Sequence, residues 1–96
     1  MTKLNDAKIQ KSLAGLAGWK IKSGKLHREY KFADFVAAFG FMAEAAFSCE
    51  KLGHHPDWAN VYNRVTVNLT THDAGGITKK DLDLAALLEA IAAKRQ

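Results

Sequence analysis

The chain has 96 residues, 48% of them apolar and 25% charged, with a formal net charge of +4. Those proportions suit one small globular domain and exclude a disordered chain; no stretch approaches the roughly 20 apolar residues that span a bilayer, so no membrane helix is expected. Cys49 is the only cysteine, which excludes an internal disulfide, and Met1–Asp6 lacks the apolar centre of a signal peptide, so the cytoplasm is the expected compartment.

The elements follow in chain order. Asn5 predicts an N-cap for a first helix with Ile9, Leu13 and Leu16 at helical spacing and Gly18 as its stop. The period then changes to two. Trp19 and Ile21 alternate with Lys20 and Lys22, Ser23-Gly24 turns the chain, and Leu26, Tyr30 and Phe32 alternate with His27, Glu29 and Lys31, which predicts a hairpin with one apolar face. His27 reads as an exposed strand residue.

Asp34 predicts the cap of a second helix, from Phe35 to about Leu52, ended by Gly53. One stripe holds Phe35, Phe39, Met42, Ala46 and Cys49, and a second holds Phe41, Ala45, Ser48 and Leu52. A helix apolar on two sides needs more cover than one small sheet gives, which predicts self-association. Cys49 could be a nucleophile beside a histidine, but among Ala45, Ala46 and Phe47 it reads as a core filler.

A second hairpin is expected from about Trp58 to Tyr62 and from Val65 to Thr71, with Val65, Val67 and Leu69 facing the core. If Asn63-Arg64 is its turn, Tyr62 pairs with Val65 and His55 lies opposite His72. Thr78-Lys79-Lys80-Asp81 reads as a capping box opening a last helix that carries Leu82, Ala85, Leu88 and Ala92. The predicted order is αββαββα, residues 1–96 forming a single α+β domain whose helices cover one face of a four-stranded antiparallel sheet.

Charge and chemistry are both unevenly placed. Residues 1–31 carry eight Lys or Arg against Asp6 and Glu29, a net +6 that leaves −2 for the rest. With no arginine-rich run and no interleaved aromatic platform, this reads as a solvated face, and direct nucleic-acid binding is not expected. Three of the four histidines lie between residues 54 and 72: Glu50-Lys51-Leu52-Gly53-His54-His55-Pro56 is followed by Tyr62 and His72. Imidazole exchanges protons near neutral pH, so the cluster predicts acid/base chemistry. Glu50 and His54, four apart at a helix end, are expected to share a face about one turn apart. Metal binding is the chemical rival, because Glu50 and His54 with His55 or His72 could complete a three-ligand zinc site. Adjacent histidines diverge, however.

The spacing Glu50, His54-His55-Pro56, Tyr62, His72, Asp81 resembles the signature of the pterin-4a-carbinolamine dehydratases, and the predicted element order is similar to that family's fold. The resemblance implies a hydro-lyase that works without metal or other cofactor and converts 4a-hydroxytetrahydropterin to quinonoid dihydropterin for an aromatic amino acid hydroxylase. It implies His54 and His72 as acid and base in either order, His55 as a pterin contact, Glu50 as the group that orients or tunes His54, and Pro56, Trp58 and Asp81 as supporting or substrate-binding residues. It also implies a homodimer or homotetramer. A non-catalytic dimerisation module or transcriptional coactivator stands as the alternative, since members of the family include such partners.

Overall fold

The structure, a computed structural model, describes residues 2–96. Helix α1 (Asp6–Leu13) is followed by strands β1 (Lys20–Lys22) and β2 (Lys25–Lys31), helix α2 (Phe35–Leu52), strands β3 (Asp57–Val61) and β4 (Arg64–Leu69), a 3-10 turn (His72–Ala74) and helix α3 (Lys79–Arg95). The four strands form one antiparallel sheet in the order β1-β2-β4-β3. The αββαββα expectation therefore holds.

Local chemistry sets the ends of these elements. The Asn5 side chain accepts from the Lys8 N–H at 2.9 Å and that of Asp34 from the Ala37 N–H at 2.8 Å, each satisfying a donor that a helix start leaves open. α2 ends where Gly53 turns left-handed at φ 65°. α1 stops at Leu13, earlier than the apolar spacing through Leu16 suggests; a series of turns then leads to Trp19. Ser23 and Gly24 have φ of 52° and 76°, the successive left-handed pair of a tight hairpin turn.

The second hairpin departs from expectation. Val61 pairs with Arg64, so Tyr62-Asn63 is the turn and not Asn63-Arg64. Asn63 explains the shift: its backbone carbonyl accepts from Phe32 N at 2.8 Å and its side-chain amide donates to Phe32 O at 3.0 Å, pinning the turn to the end of β2. Asn60 adds a bond from its amide to Arg64 O at 2.8 Å. Moving the turn by one position slides the pairing by two residues, which leaves the core face unchanged. Val65, Val67 and Leu69 are buried as the alternation requires.

The helices cover one face. Ile9, Phe41, Ala45, Cys49, Leu84 and Leu88 pack with Leu26, Tyr30, Val65 and Val67 in one core. The second stripe of α2, Phe41, Ala45 and Leu52, is the one expected to seek a partner, and the burial of Phe41 and Ala45 corrects this by placing that stripe in the core. The bare apolar side holds Phe35 and Phe39 of the other stripe, about half exposed, together with Val36 and Phe47, 78% and 80% exposed, while Cys49 of that stripe is buried. A polar cross-link also ties α3 to the sheet. Glu89 Oε1 accepts from the Tyr30 hydroxyl at 2.7 Å and the Trp19 indole N–H at 2.9 Å, and Arg28 stacks 4.3 Å above the Tyr30 ring. Burial, then the hydrogen bond to Glu89, pushes the Tyr30 hydroxyl well above the ordinary phenol range.

Candidate active site

The histidines meet at the end of the sheet where α2 hands over to β3 and β4 to α3. Gly53 breaks the helix, and the His54 N–H closes the turn on Cys49 O at 3.0 Å. This left-handed step carries His54 off the face of α2, so Glu50 does not orient it, contrary to the four-residue spacing. Glu50 Oε1 instead meets His55 Nε2 at 2.7 Å, in a pair whose side chains are 78% and 64% exposed.

His54 has a stronger partner. Its Nε2 lies 2.5 Å from Asp81 Oδ1, and the Asp81 carboxylate is fully buried while the His54 side chain is 11% exposed. The second Asp81 oxygen accepts from the Thr71 hydroxyl and the Thr78 N–H, both at 2.8 Å. The expected capping box is present, and its carboxylate does two things at once: it closes the start of α3 and holds the His54 ring. A carboxylate only accepts, so His54 Nε2 carries the proton and Nδ1 is the ring nitrogen left for a ligand. Asp81 is fully buried and outside the cleft lining, and it meets the cleft only through the His54 ring.

His72 arrives by an unexpected route. β4 ends at Leu69, the Thr71–Gly76 bridge closes a small loop, and the 3-10 turn within it carries His72. The register does not place His72 opposite His55, since Asp57 pairs with Asn68 and the two histidines lie beyond the ladder. They converge nonetheless on an open cleft of about 290 Å³, lined by His54, His55 and His72 with Gly53, Thr70, Thr71, Asp73 and Lys80. That is near the lower limit of small-ligand sites. Pro56 carries the chain from His55 into β3 outside this lining. Trp58 also lies outside it: the ring is half-buried on the core side of β3, opposite Val67 and 6.5 Å from Phe41, and fills the core.

Thr71, Asp73 and Lys80 were not legible as cleft residues. Thr71 follows an alternating strand that stops two residues earlier, and Lys80 reads as one more exposed position in a capping box. Among the described residues, no group of three His, Cys, Asp or Glu converges to hold a metal ion. No helix is long and apolar enough to cross a membrane. Cys49 is buried in the core, and that burial raises its thiol pKa.

Fold and cleft together define a small α+β protein with a histidine cluster, one member of which is anchored on a buried carboxylate. Residues 2–91 match the family model of the pterin 4 alpha carbinolamine dehydratases, and the chain belongs to that family. A protein of Solibacter usitatus, provisionally named pterin-4-alpha-carbinolamine dehydratase, is 62% identical over 92 residues, covering 96% of this chain and 97% of its own. A protein of the same provisional name from Rhizobium leguminosarum bv. trifolii is 53% identical, covering 99% and 96%. Among solved structures, a transcriptional coactivator/pterin dehydratase from Brucella melitensis superposes with a TM-score of 0.91 at 45% identity, covering 95% of this chain and 99% of that one. A pterin dehydratase-like RuBisCO assembly factor of the alpha-carboxysome shares the fold at a TM-score of 0.64 and 21% identity, covering 77% and 86%.

Proposed function

We propose that this chain dehydrates a 4a-hydroxytetrahydropterin to quinonoid dihydropterin by histidine acid/base catalysis, recycling the pterin of an aromatic amino acid hydroxylase. The observation that carries the reading is the anchored ring of His54 beside His55 and His72 in one open cleft. In the reaction the C4a–O bond breaks with its electron pair going to oxygen, which takes a proton and leaves as water. The N5–H proton is removed as the C4a=N5 bond forms. One group must give a proton and another must take one.

His54, with Nε2–H donated to Asp81, offers an Nδ1 lone pair and is the base. The imidazolium formed there faces a buried carboxylate already in place, so no reorganisation accompanies the charge. His72, exposed and with its ring free of hydrogen bonds among the described residues, is the acid, and His55 with Glu50 contacts the pterin. The test is quinonoid dihydropterin formation from enzymatically generated carbinolamine, with and without the protein. A rate no faster than the spontaneous one refutes the reading.

We also propose that the protein is a homodimer or homotetramer built on the bare side of α2. Phe35, Val36, Phe39 and Phe47 leave one side of α2 apolar and exposed, and β3 is an edge strand of the sheet. Phe39→Ser with Phe47→Ser should lower the mass seen by light scattering at micromolar concentration, and a wild-type monomer would refute the assembly. The same patch supports the alternative reading of a binding module or coactivator, a role named for the Brucella melitensis protein.

A further inference from the structure

The helix-free face of the sheet is the least explained surface of the molecule. Strand pairing aligns its outward residues in rows: Lys20, His27, Asn68 and Asp57 form one, and Lys22 and Lys25 form the next, nearer the cleft. Leu26 pairs with Leu69, which sets Lys25 beside Thr70. These two rows hold three lysines against the single carboxylate of Asp57. Among the described residues Lys20 and Lys22 form no ion pair.

The surface there is concave. A depression of about 330 Å³ is lined by Lys22, Ser23, Lys25, His27, Thr66 and Asn68. A neighbouring one of about 340 Å³ shares Lys22 and His27 and is bounded by Glu29, one row further from the cleft. His27 Nδ1 and Asn68 Oδ1 are 2.8 Å apart, which fixes the ring with its Nε2 unbonded. Ammonium groups, hydroxyls and an amide are a lining suited to anionic oxygens.

Two features join this shelf to the histidine cleft. Thr70 lines the cleft and continues the outward series of Thr66 and Asn68 that lines the shelf. Lys25 Nζ reaches to 3.6 Å from the carboxylate of Asp57, two residues after His55. That ion pair is long, and its side chains are 40% and 74% exposed, so an incoming anion can replace it at little cost.

We propose that the shelf is a subsite for an anionic group, phosphate or carboxylate, on the side chain of a pterin whose ring occupies the histidine cleft. The inference rests on the dehydratase reading of that cleft. Strands lie about 4.8 Å apart, so from Thr70 across Lys25 to Lys22 is about 10 Å, within reach of a short charged side chain. Lysines, as mobile point charges, fix no single substituent geometry. Glu29 confines the anion to the Lys22–Lys25 end.

The experiment measures equilibrium binding of two matched pairs: 7,8-dihydroneopterin against its triphosphate, and 6-hydroxymethylpterin against pterin-6-carboxylate. The wild type should bind the charged member of at least one pair about tenfold more tightly at low salt. Which pair shows the preference identifies the anion. The preference should fade between about 50 and 300 mM salt, fall to near parity in Lys22→Gln/Lys25→Gln, and persist in the charge-matched Lys8→Gln/Lys11→Gln on α1. Parity for both pairs in the wild type, or a preference that survives the Lys22/Lys25 change, overturns the subsite. Inorganic triphosphate should compete with the charged pterin; binding that leaves the charged pterin in place would separate the anion site from the cleft and also overturn it. Failure of every pterin to bind would overturn the dehydratase reading and the subsite with it, whereas neutral binding without a charge preference overturns the subsite alone.

Discussion

In the proposed mechanism Asp81 serves both stability and chemistry, and replacing it separates the two. Asp81→Ala removes the acceptor of three donors: His54 Nε2, the Thr71 hydroxyl and the Thr78 N–H. A buried donor left unsatisfied costs about 1–3 kcal/mol, and water from the cleft can satisfy part of the set. With three donors affected and water offsetting part of their loss, the expected cost is about 3–5 kcal/mol. Asp81→Asn keeps an oxygen for Thr78 and Thr71 and turns an NH₂ toward His54, so stability should fall by only about 1–2 kcal/mol. The ring must then accept at Nε2 and carry its proton on Nδ1, the nitrogen assigned to take the substrate proton. Turnover should fall about 10²- to 10⁴-fold in Asp81→Asn despite the modest loss of stability. Urea unfolding followed by circular dichroism gives the first quantity and initial rates of quinonoid formation the second. Turnover in Asp81→Asn within about twofold of wild type would refute the tautomer argument, and an unchanged unfolding midpoint in Asp81→Ala would refute the buried-acceptor argument.

The histidines should separate in the same assays. His72→Ala, at an exposed position, should lose turnover about 10²-fold or more with stability within about 0.5 kcal/mol, whereas His54→Ala should also lose about 1–3 kcal/mol because it strips a donor from a buried carboxylate. Cys49, whose thiol pKa is raised by burial, should resist thiol reagents in the native protein and react on unfolding; labelling monitored by mass spectrometry checks this. Glu44 accepts from Lys94 Nζ at 2.7 Å and also pairs with Arg95, and the Lys94 hydrogen bond is the largest influence holding its carboxyl below the ordinary 4.5. A depressed folded-state pKa gives stability that is present above the unfolded value and lost as pH falls through the folded one. The Tm difference between wild type and Glu44→Gln should accordingly shrink as pH is lowered from about 7 to about 3, and a constant difference would show that the carboxylate charge is irrelevant.

Sequence alone determined what depends on near neighbours. Asn5, Asp34 and Thr78 cap the three helices, Gly53 ends α2, and Ser23-Gly24 turns the first hairpin, because each acts within a few bonds of its own backbone. Alternation chose the core face of β4, and the spaced histidines marked the residues that line the cleft. Tertiary structure decided what depends on distant partners. The turn at Tyr62-Asn63 is held by Phe32, some thirty residues away in sequence, and no hairpin rule reads that bond. Which stripe of α2 is buried depended on where the sheet and α3 lie, since Phe35 and Phe41 are equally apolar. The pairing of His54 with Asp81 in place of Glu50 had the same origin. A left-handed glycine took His54 off its helix, and only the packed fold brought the start of α3 to meet it. A carboxylate 27 residues distant in sequence thus governs the ring, while the one four residues away stays in solvent with His55.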